Sequence, residues 1–357
     1  MPPSRQSQER VSIEGMRSGH ASEGSPAGAK TAQTARSFWQ TYTPRNIFQE
    51  IRWRLSVRNR RRNKSMANSP TEISAGCPAS KVGEFYDLHH ADFLEVYGEV
   101  IQAFRTKDIA GLLNYQSNSI GFLPGQRVLD AGCGLCVPAM HFATHAQVRV
   151  DAITISKRQY EAAVRKIADA NLSDRVTVVH GDYHNLAKHF PVQAYDVVYF
   201  LESFGHSNAK HCLIEACWDV LKPGGTIYIK DLFRRIPLKP EHKQRIDREI
   251  QKINQAYRYD VAHLNTVLDQ LRGKGFILTW LKTIDFPLEQ FEDLGISNQF
   301  QELTGLASVE NWEEYVFPVE FFEIKCVKPE FSPDERLDRY FLQQRYHRAM
   351  EAKQIGT

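Results

Sequence analysis

From about Val82 onward, the chain alternates short apolar segments with segments of helical periodicity, and this alternation restricts its fold more than any other feature. Strands that alternate with helices of about 10 to 15 residues indicate βαβ units around a largely parallel sheet. We therefore predict an α/β fold with a doubly wound sheet. The apolar segments assigned to its strands are, in chain order, RVLDA, VRVDAITIS, RVTVVHGD, YDVVYFLE, TIYIKDLF, FILTWLKTID and FFEIKCVKP.

The first 80 residues differ in composition from the rest. Residues 1–35 are rich in Ser, Gly, Ala, Pro and Gln, which bury too little apolar surface to offset chain entropy, so we expect disorder. Residues 36–80 form a basic arm and linker, with a predicted amphipathic helix from about Pro44 to Arg60. This helix would pack on the main domain or on a neighbouring subunit, or contact an anionic substrate or a membrane surface. The sequence leaves these alternatives open, including a homo-oligomer formed through the arm.

The main domain is predicted at 81–330, with a C-terminal helix at 331–357. The tail begins SPDE, in which Ser332 and Glu335 form a capping box for that helix. Helical inserts around 234–260 and 286–310 separate the late strands. We expect both inserts to lie over the carboxyl edge of the sheet as a lid.

Composition excludes several classes of protein. The chain has 45 Lys and Arg against 42 Asp and Glu, and a net charge of +3 gives no argument for a nucleic-acid partner. No window approaches the run of about 18 apolar residues that a membrane span requires, and the first residues lack the apolar core of a secretory signal. We expect a soluble, cytoplasmic protein with reduced thiols.

No metal site is expected from the residue spacing. Cys133 and Cys136 form a CxxC inside a glycine loop, but no second pair lies at zinc-finger spacing. His89 and His90, in YDLHHAD, have no further ligand at a recognisable spacing and are interpreted as surface residues.

The segment VLDAGCG follows the first predicted strand and forms a glycine loop. Gly132 and Gly134 allow a sharp turn and a close approach of backbone to ligand, and Asp130 adds a carboxylate. The loop lacks the third glycine of the dinucleotide fingerprint GxGxxG and has no phosphate-binding lysine. It therefore suits a ligand that carries cationic amine and sulfonium groups.

Three motifs occur in order: DxGxG after the first strand, GD after the third and LKPGG before the fifth. Together they resemble the class I S-adenosylmethionine-dependent methyltransferases, over about Tyr86 to Pro329. The resemblance implies a Rossmann-like methyltransferase sheet of seven strands, the last antiparallel, with S-adenosylmethionine as cofactor.

The resemblance also implies a set of cofactor-binding residues. Asp130, Gly132, Cys133 and Gly134 would face the methionine part, Asp182 the adenine amine, and Tyr183 would lie near the base. Most family members end the second strand with an acid that holds the ribose, but TISKRQ has Thr154 there and instead resembles the cyclopropane fatty acid synthase and isoprenoid C-methyltransferase branch. We therefore assign Thr154 and Gln159 to the cofactor, with Asp151 as the fallback.

Glu202 and His206 follow the fourth strand in VVYFLESFGHS, and E-x-x-x-H is similar to a pattern at this position in sterol and cyclopropane enzymes. An alkene that attacks a sulfonium methyl becomes a carbocation, which a carboxylate can stabilise and deprotonate. Glu202 is the predicted catalytic carboxylate; alternatively, helix N-terminal amides satisfy it structurally. His206 would orient Glu202, contact substrate or cap the following helix. Tyr86, Phe204 and Tyr257 are the aromatic candidates for substrate contact, since ring faces stabilise cations.

The resulting hypothesis is C-methylation of an alkene carbon in an isoprenoid, specifically a prenyl diphosphate, through a carbocation that Glu202 deprotonates. Mg²⁺ bound through the diphosphate, the basic arm, or Arg234, Arg235 and Lys239 would neutralise the phosphate charge. The alternatives are a small-molecule N- or O-methyltransferase with Glu202 or His206 as base, a cyclopropane-forming lipid methyltransferase, and a binding protein without turnover.

Overall fold

The computed structural model describes residues 79–284, 296–305, 309, 311 and 315–330. The predicted disordered segment (1–35), nearly all of the basic arm (36–80), the C-terminal helix (331–357) and parts of the second predicted insert lie outside the described residues. No helix in the described part of the chain combines the length and the apolar character that a membrane crossing needs.

The strands form one seven-stranded sheet in the order β3-β2-β1-β4-β5-β7-β6. Strand β7 runs antiparallel to both β5 and β6, whereas the other neighbours are parallel. The predicted seven-stranded α/β sheet with an antiparallel last strand is therefore confirmed. The strands are β1 (Arg127–Ala131), β2 (Arg149–Thr154), β3 (Val176–His180), β4 (Tyr195–Leu201), β5 (Leu221–Arg234), β6 (Ile277–Thr283) and β7 (Val319–Val327).

Helices precede the sheet, connect its strands and enter as inserts. They are α1 (Ala79–Leu88), α2 (His90–Tyr97), α3 (Ile109–Ile120), α4 (Val137–His145), α5 (Lys157–Asp169), α6 (Leu186–His189), α7 (Lys210–Val220), α8 (His242–Tyr257), α9 (Leu264–Lys274) and α10 (Ile296–Thr304). Short 3₁₀ turns occupy Tyr183–Asn185 and Phe204–His206. The first predicted insert corresponds to α8, and the described part of the second contains α10.

The sheet buries both of its faces, as a parallel sheet requires. Side chains alternate along β4, so that Phe200 packs with Leu213 of α7 on one face while Tyr199 packs with Phe142 of α4 on the other. The Tyr199 and Phe142 ring centroids lie 5.6 Å apart. This two-sided burial explains the nearly continuous apolar sequence of β4.

Helix α2 is short and is followed by a loop at 98–108. Helix α2 ends at Tyr97 because Gly98 adopts a positive φ of 67° and closes the last turn with a hydrogen bond to the Leu94 carbonyl. The next residues leave the helix, and the backbone amides of Ala103 and Phe104 bind the Glu202 carboxylate instead. A long-range contact therefore decides the conformation of this loop.

Candidate functional site

The carboxyl ends of β1 to β4 surround a cavity of about 690 Å³, here called the glycine-loop cavity. An open α/β sheet binds ligands at this edge. The sequence-predicted residues that line the cavity are Tyr86, Gly132, Gly134, Thr154, Gln159, Asp182, Tyr183, Glu202 and His206. The structure thus brings together most of the predicted site.

The glycine loop is fixed between β2 and β4. The amides of Gly132 and Cys133 both donate to the Ile153 carbonyl at 3.0 Å, and the Ser203 hydroxyl donates to the Ala131 carbonyl at 2.6 Å. Gly132 has a φ of 105°, and a Cβ placed there would lie 2.4 Å from the Cβ of Ser203. Only glycine fits this position, for reasons of both conformation and space.

The end of β2 presents an amide where many family members would have an acid. Thr154 donates from Oγ1 to Gln159 Oε1 at 3.0 Å, which leaves the Gln159 amino group to face other partners. Asp87 of α1 accepts from the Ser156 hydroxyl at 2.6 Å and thereby ties α1 to the start of α5. The fallback residue Asp151 lines neither described cavity, because its carboxylate binds Arg127 and Tyr195 instead.

Asp182 is oriented by a histidine that sequence reasoning missed. His184 donates from its backbone amide at 2.9 Å and its Nδ1 lies 2.6 Å from Asp182 Oδ1. The Nδ1–H donates to the carboxylate, so Nε2 accepts from the Ser207 hydroxyl at 2.7 Å. Burial alone would raise the pKa of Asp182, but the His184 hydrogen bonds outweigh it and lower that pKa below its usual value. Asp182 thus presents an ionised carboxylate to the cavity.

Three predicted residues do not line a cavity. Asp130 lies beneath the glycine loop, 2% exposed, where it accepts a hydrogen bond from the Tyr199 hydroxyl at 3.1 Å. Burial raises the pKa of Asp130 to about 7. The Cys133 side chain is buried in the core beside Cys136, and Phe204 is 1% exposed and packs edge-on against Phe200. Phe204 thus packs in the core, and Asp130 and Cys133 lie beneath the glycine loop. Their expected roles in binding stay predictions.

A second cavity of about 1060 Å³, the aromatic cavity, adjoins the first. Nine of its eighteen described lining residues are aromatic, including Tyr86, Phe104 and Tyr257. Among the described residues, four line both cavities: Tyr86, Ile101, Glu202 and His206. These four residues lie where the two cavities meet, and we call them the junction. A methyl group transferred from a ligand in one cavity to a ligand in the other would pass beside them.

Glu202 lies at the junction with its backbone at a positive φ of 59°. Its carboxylate accepts from the amides of Ala103 at 2.6 Å and Phe104 at 3.2 Å, and it pairs with the ammonium of Lys230. Lys230 is fully buried, and its other hydrogen bonds go to Gln102 Oε1 at 2.7 Å and the Phe104 carbonyl at 3.1 Å. The amides come from the α2–α3 loop, not from a helix N-terminus as the structural alternative proposed. Sequence reasoning missed Lys230 because it lies in the middle of an apolar strand.

His206 is neutral at physiological pH. Burial lowers the pKa of its imidazole to about 4. Its Nδ1–H donates to the Arg258 carbonyl at 3.2 Å, so Nε2 accepts from the Tyr86 hydroxyl at 2.9 Å. The imidazole and the phenol therefore face the junction as a hydrogen-bonded pair.

The segment after α8 is held by hydrogen bonds against the 3₁₀ turn that contains Gly205 and the junction residue His206. The Asp260 amide donates to the Gly205 carbonyl at 2.7 Å, and Lys210 bonds the Asp260 carboxylate at 2.7 Å. Tyr259 donates to Asp231, whose pKa burial raises to about 6. The first predicted insert thus contributes a wall of the aromatic cavity, through Tyr257 and Tyr259.

Comparison with known proteins assigns the domain. Residues 128–225 match a protein-family model described as a methyltransferase domain. Residues 128–225 of this chain therefore form a methyltransferase domain. Within the described residues, no group of three or more metal-ligating side chains accompanies it.

Two relatives and one solved structure illustrate the range of similar proteins. The chain is 33% identical over 161 residues to 27-O-demethylrifamycin SV methyltransferase of Amycolatopsis mediterranei, covering 43% of the chain and 58% of that protein. It is 32% identical over 129 residues to sterol 24-C-methyltransferase ERG6B of Gibberella zeae, covering 36% and 32% respectively. The matches thus span less than two thirds of either relative's length. The crystal structure of the [4+2]-cyclase SpnF superposes with a TM-score of 0.58 at 20% identity, covering 73% of this chain and 99% of that one.

Gly132→Ala is expected to weaken binding of S-adenosylhomocysteine to the methyltransferase domain at least tenfold, because the new methyl group meets Ser203 and displaces the loop. Isothermal titration calorimetry measures this. Gly98→Ala is the matched control: its φ is also positive, but no atom lies within 4 Å of the added Cβ. Equal losses in both variants would show that the clash with Ser203 is unimportant.

Asp130→Asn is expected to stabilise the domain at about pH 8 by about 1 to 4 kcal/mol and to have little effect at about pH 4. The raised pKa means that folded Asp130 keeps its proton where the unfolded chain has lost it, so stability falls as pH rises towards about 7. Urea unfolding of both variants at the two pH values tests this. The same difference at both values would contradict it.

Lys230→Met is expected to destabilise the domain by about 3 to 5 kcal/mol, because it leaves the Glu202 carboxylate buried without its counter-ion. The double variant Lys230→Met with Glu202→Gln should recover much of this loss. Urea unfolding measures both. Lys222→Met removes a half-exposed ion pair with Asp196 and should cost about 1 kcal/mol or less. A double variant no more stable than Lys230→Met would contradict the expected coupling.

Proposed function

We propose that this protein is a C-methyltransferase that acts on an alkene carbon of a largely apolar isoprenoid. The observation that carries the proposal is the position of the Glu202 carboxylate, at the junction between the glycine-loop cavity and a cavity with a largely aromatic lining. The sterol C-methyltransferase among the relatives supports the same acceptor class.

The residues of the glycine-loop cavity fit S-adenosylmethionine. Gly132 and Gly134 leave room for the methionine part beside the backbone, and Asp182 offers a carboxylate to the adenine amine. Gln159, held by Thr154, offers an amino group where the ribose hydroxyls would lie. When bound, the cofactor supplies an electrophilic methyl group.

The junction suits an acceptor that becomes positively charged. When an alkene takes the methyl group, the methyl–sulfur bond would break with its electron pair going to sulfur, and the thioether would leave. The other alkene carbon would then be a carbocation, which ring faces such as that of Tyr86 stabilise by roughly 0.5 to 2 kcal/mol each. His206 stays neutral and so does not repel this charge. Glu202 removes the adjacent proton, and the C–H electron pair restores the double bond. A proton next to a carbocation is so acidic that a carboxylate already paired with Lys230 suffices.

The charge of the described residues around the aromatic cavity does not favour an acceptor with a diphosphate group. Among the described residues that line the aromatic cavity, none is Lys or Arg, and Glu202 is the lone carboxylate. Arg234 instead pairs with Asp247, and Arg235 donates to the Phe317 carbonyl at 3.3 Å. We therefore propose an uncharged isoprenoid, and make the prenyl diphosphate with Mg²⁺ the competing acceptor in the test.

O-methylation is a second candidate, favoured by the imidazole at the junction. The Nε2 of His206 accepts a hydrogen bond from the Tyr86 phenol, and an acceptor hydroxyl in place of that phenol would donate its proton to the same nitrogen. The rifamycin O-methyltransferase among the relatives is consistent with this chemistry. The two candidates differ in the base they require.

Purified protein and deuteriomethyl S-adenosylmethionine should methylate a sterol with a side-chain alkene, or farnesol at carbon, in preference to farnesyl diphosphate with Mg²⁺. Glu202→Gln should lower kcat about 10²- to 10⁴-fold as the general base is lost, whereas His206→Asn should have a smaller effect. Mass spectrometry measures product formation and deuterium content, and S-adenosylhomocysteine binding controls for folding.

Other results would identify the alternatives. Methylation of oxygen, lost in His206→Asn and kept in Glu202→Gln, would establish the O-methyltransferase. Loss of one deuterium from the transferred group would show cyclopropane formation. Preference for the diphosphate, abolished by a chelator, would restore the prenyl diphosphate acceptor.

A further inference from the structure

Gln301 is a buried polar residue on the wall of the aromatic cavity. It lies on α10, 8% exposed, and lines that cavity. Within the described residues its side-chain amide has no hydrogen-bond partner, whereas the hydroxyl of the neighbouring Thr304 bonds the Phe300 carbonyl at 2.8 Å. The amide nitrogen and oxygen of Gln301 are not fully buried, so the exposed part of this side chain offers a hydrogen-bond donor and an acceptor to a group bound in the cavity.

The surroundings hold Gln301 in place. Phe300, the preceding residue, stacks on Phe93 with ring centroids 4.2 Å apart and on Tyr257 at 5.3 Å. Tyr97 also packs against Phe300, and its hydroxyl lies 3.0 Å from that of Tyr257. The backbone beside Gln301 is therefore anchored by an aromatic cluster between α2, α8 and α10.

Gln301 is not one of the junction residues. It lines only the aromatic cavity, whereas Glu202 and His206 line both cavities. A group that binds Gln301 therefore lies in the acceptor cavity and outside the junction.

We propose that Gln301 is the anchor for an uncharged oxygen function, a hydroxyl or carbonyl, on the part of the acceptor that lies outside the junction. This inference rests on the proposed function, since it concerns the acceptor of that same site. A carboxamide offers both a donor and an acceptor, which matches either group. An anionic group would bury its charge without a counter-ion, because none of the described lining residues is Lys or Arg.

The test is a binding experiment that does not depend on turnover. Isothermal titration calorimetry with the full chain and saturating S-adenosylhomocysteine compares farnesol, farnesene and farnesyl diphosphate. Wild-type protein should bind farnesol about tenfold more tightly than farnesene, which corresponds to about 1.4 kcal/mol, and more tightly than the diphosphate. Gln301→Leu should abolish the preference for farnesol over farnesene. Gln299→Leu makes the same change on α10 at a residue that lines neither cavity, and should keep the preference.

The outcomes separate this proposal from the proposed function. An unchanged preference in Gln301→Leu, tightest binding of the diphosphate, or failure of all three probes to bind would overturn the anchor. Discrimination that depends on Gln301 in a protein that methylates none of the isoprenoids would support the anchor and overturn the proposed function alone.

Discussion

The ion pair between Glu202 and Lys230 is the interaction on which the site depends. It joins the end of β4 to the middle of β5, and with the amides of Ala103 and Phe104 it also fixes the α2–α3 loop. Burying two charges is costly unless the pair is close and its remaining hydrogen-bonding groups are satisfied. Here the Lys230 ammonium has an acceptor for each of its protons, so Glu202 can hold a backbone conformation with a positive φ and face both cavities.

The two cavities differ in polarity, as the two reactants of the proposed methyl transfer do. The glycine-loop cavity has exposed backbone, an ionised Asp182 and the Gln159 amide, which suit a charged and polar cofactor. The aromatic cavity offers ring faces and little charge, which suits an apolar acceptor. Positioning both reactants across one junction removes most of the entropic barrier to their encounter. Neutral His206 adds no positive charge beside the Glu202 carboxylate, where the proposed reaction develops positive charge.

The sequence predicts the positions of residues that follow strand ends or lie in a recognisable motif. It does not predict the positions of residues whose surroundings come from distant segments of the chain. The glycine loop, Thr154, Asp182 and Glu202 follow strand ends and line the cavity as expected. Phe204 also follows a strand end, but its side chain turns into the core, since a 3₁₀ turn begins there. Lys230 and Gln301 had no signal: each lies among residues typical of a strand or helix interior, and its role depends on contacts made only in the folded chain.

The sequence by itself determined the seven-stranded α/β sheet, because the periodicity of strands and helices is a local property of the sequence. It also determined the position of the glycine loop and of Glu202, because strand ends in an open parallel sheet meet at one edge. Only the tertiary structure decided what Glu202 pairs with, where the α2–α3 loop leaves the helix, and how the aromatic residues of α1, α2, α8 and α10 gather into one cluster beside the aromatic cavity. Those outcomes depend on packing between segments more than 200 residues apart, as the Phe93–Phe300 contact shows, and no local pattern encodes them.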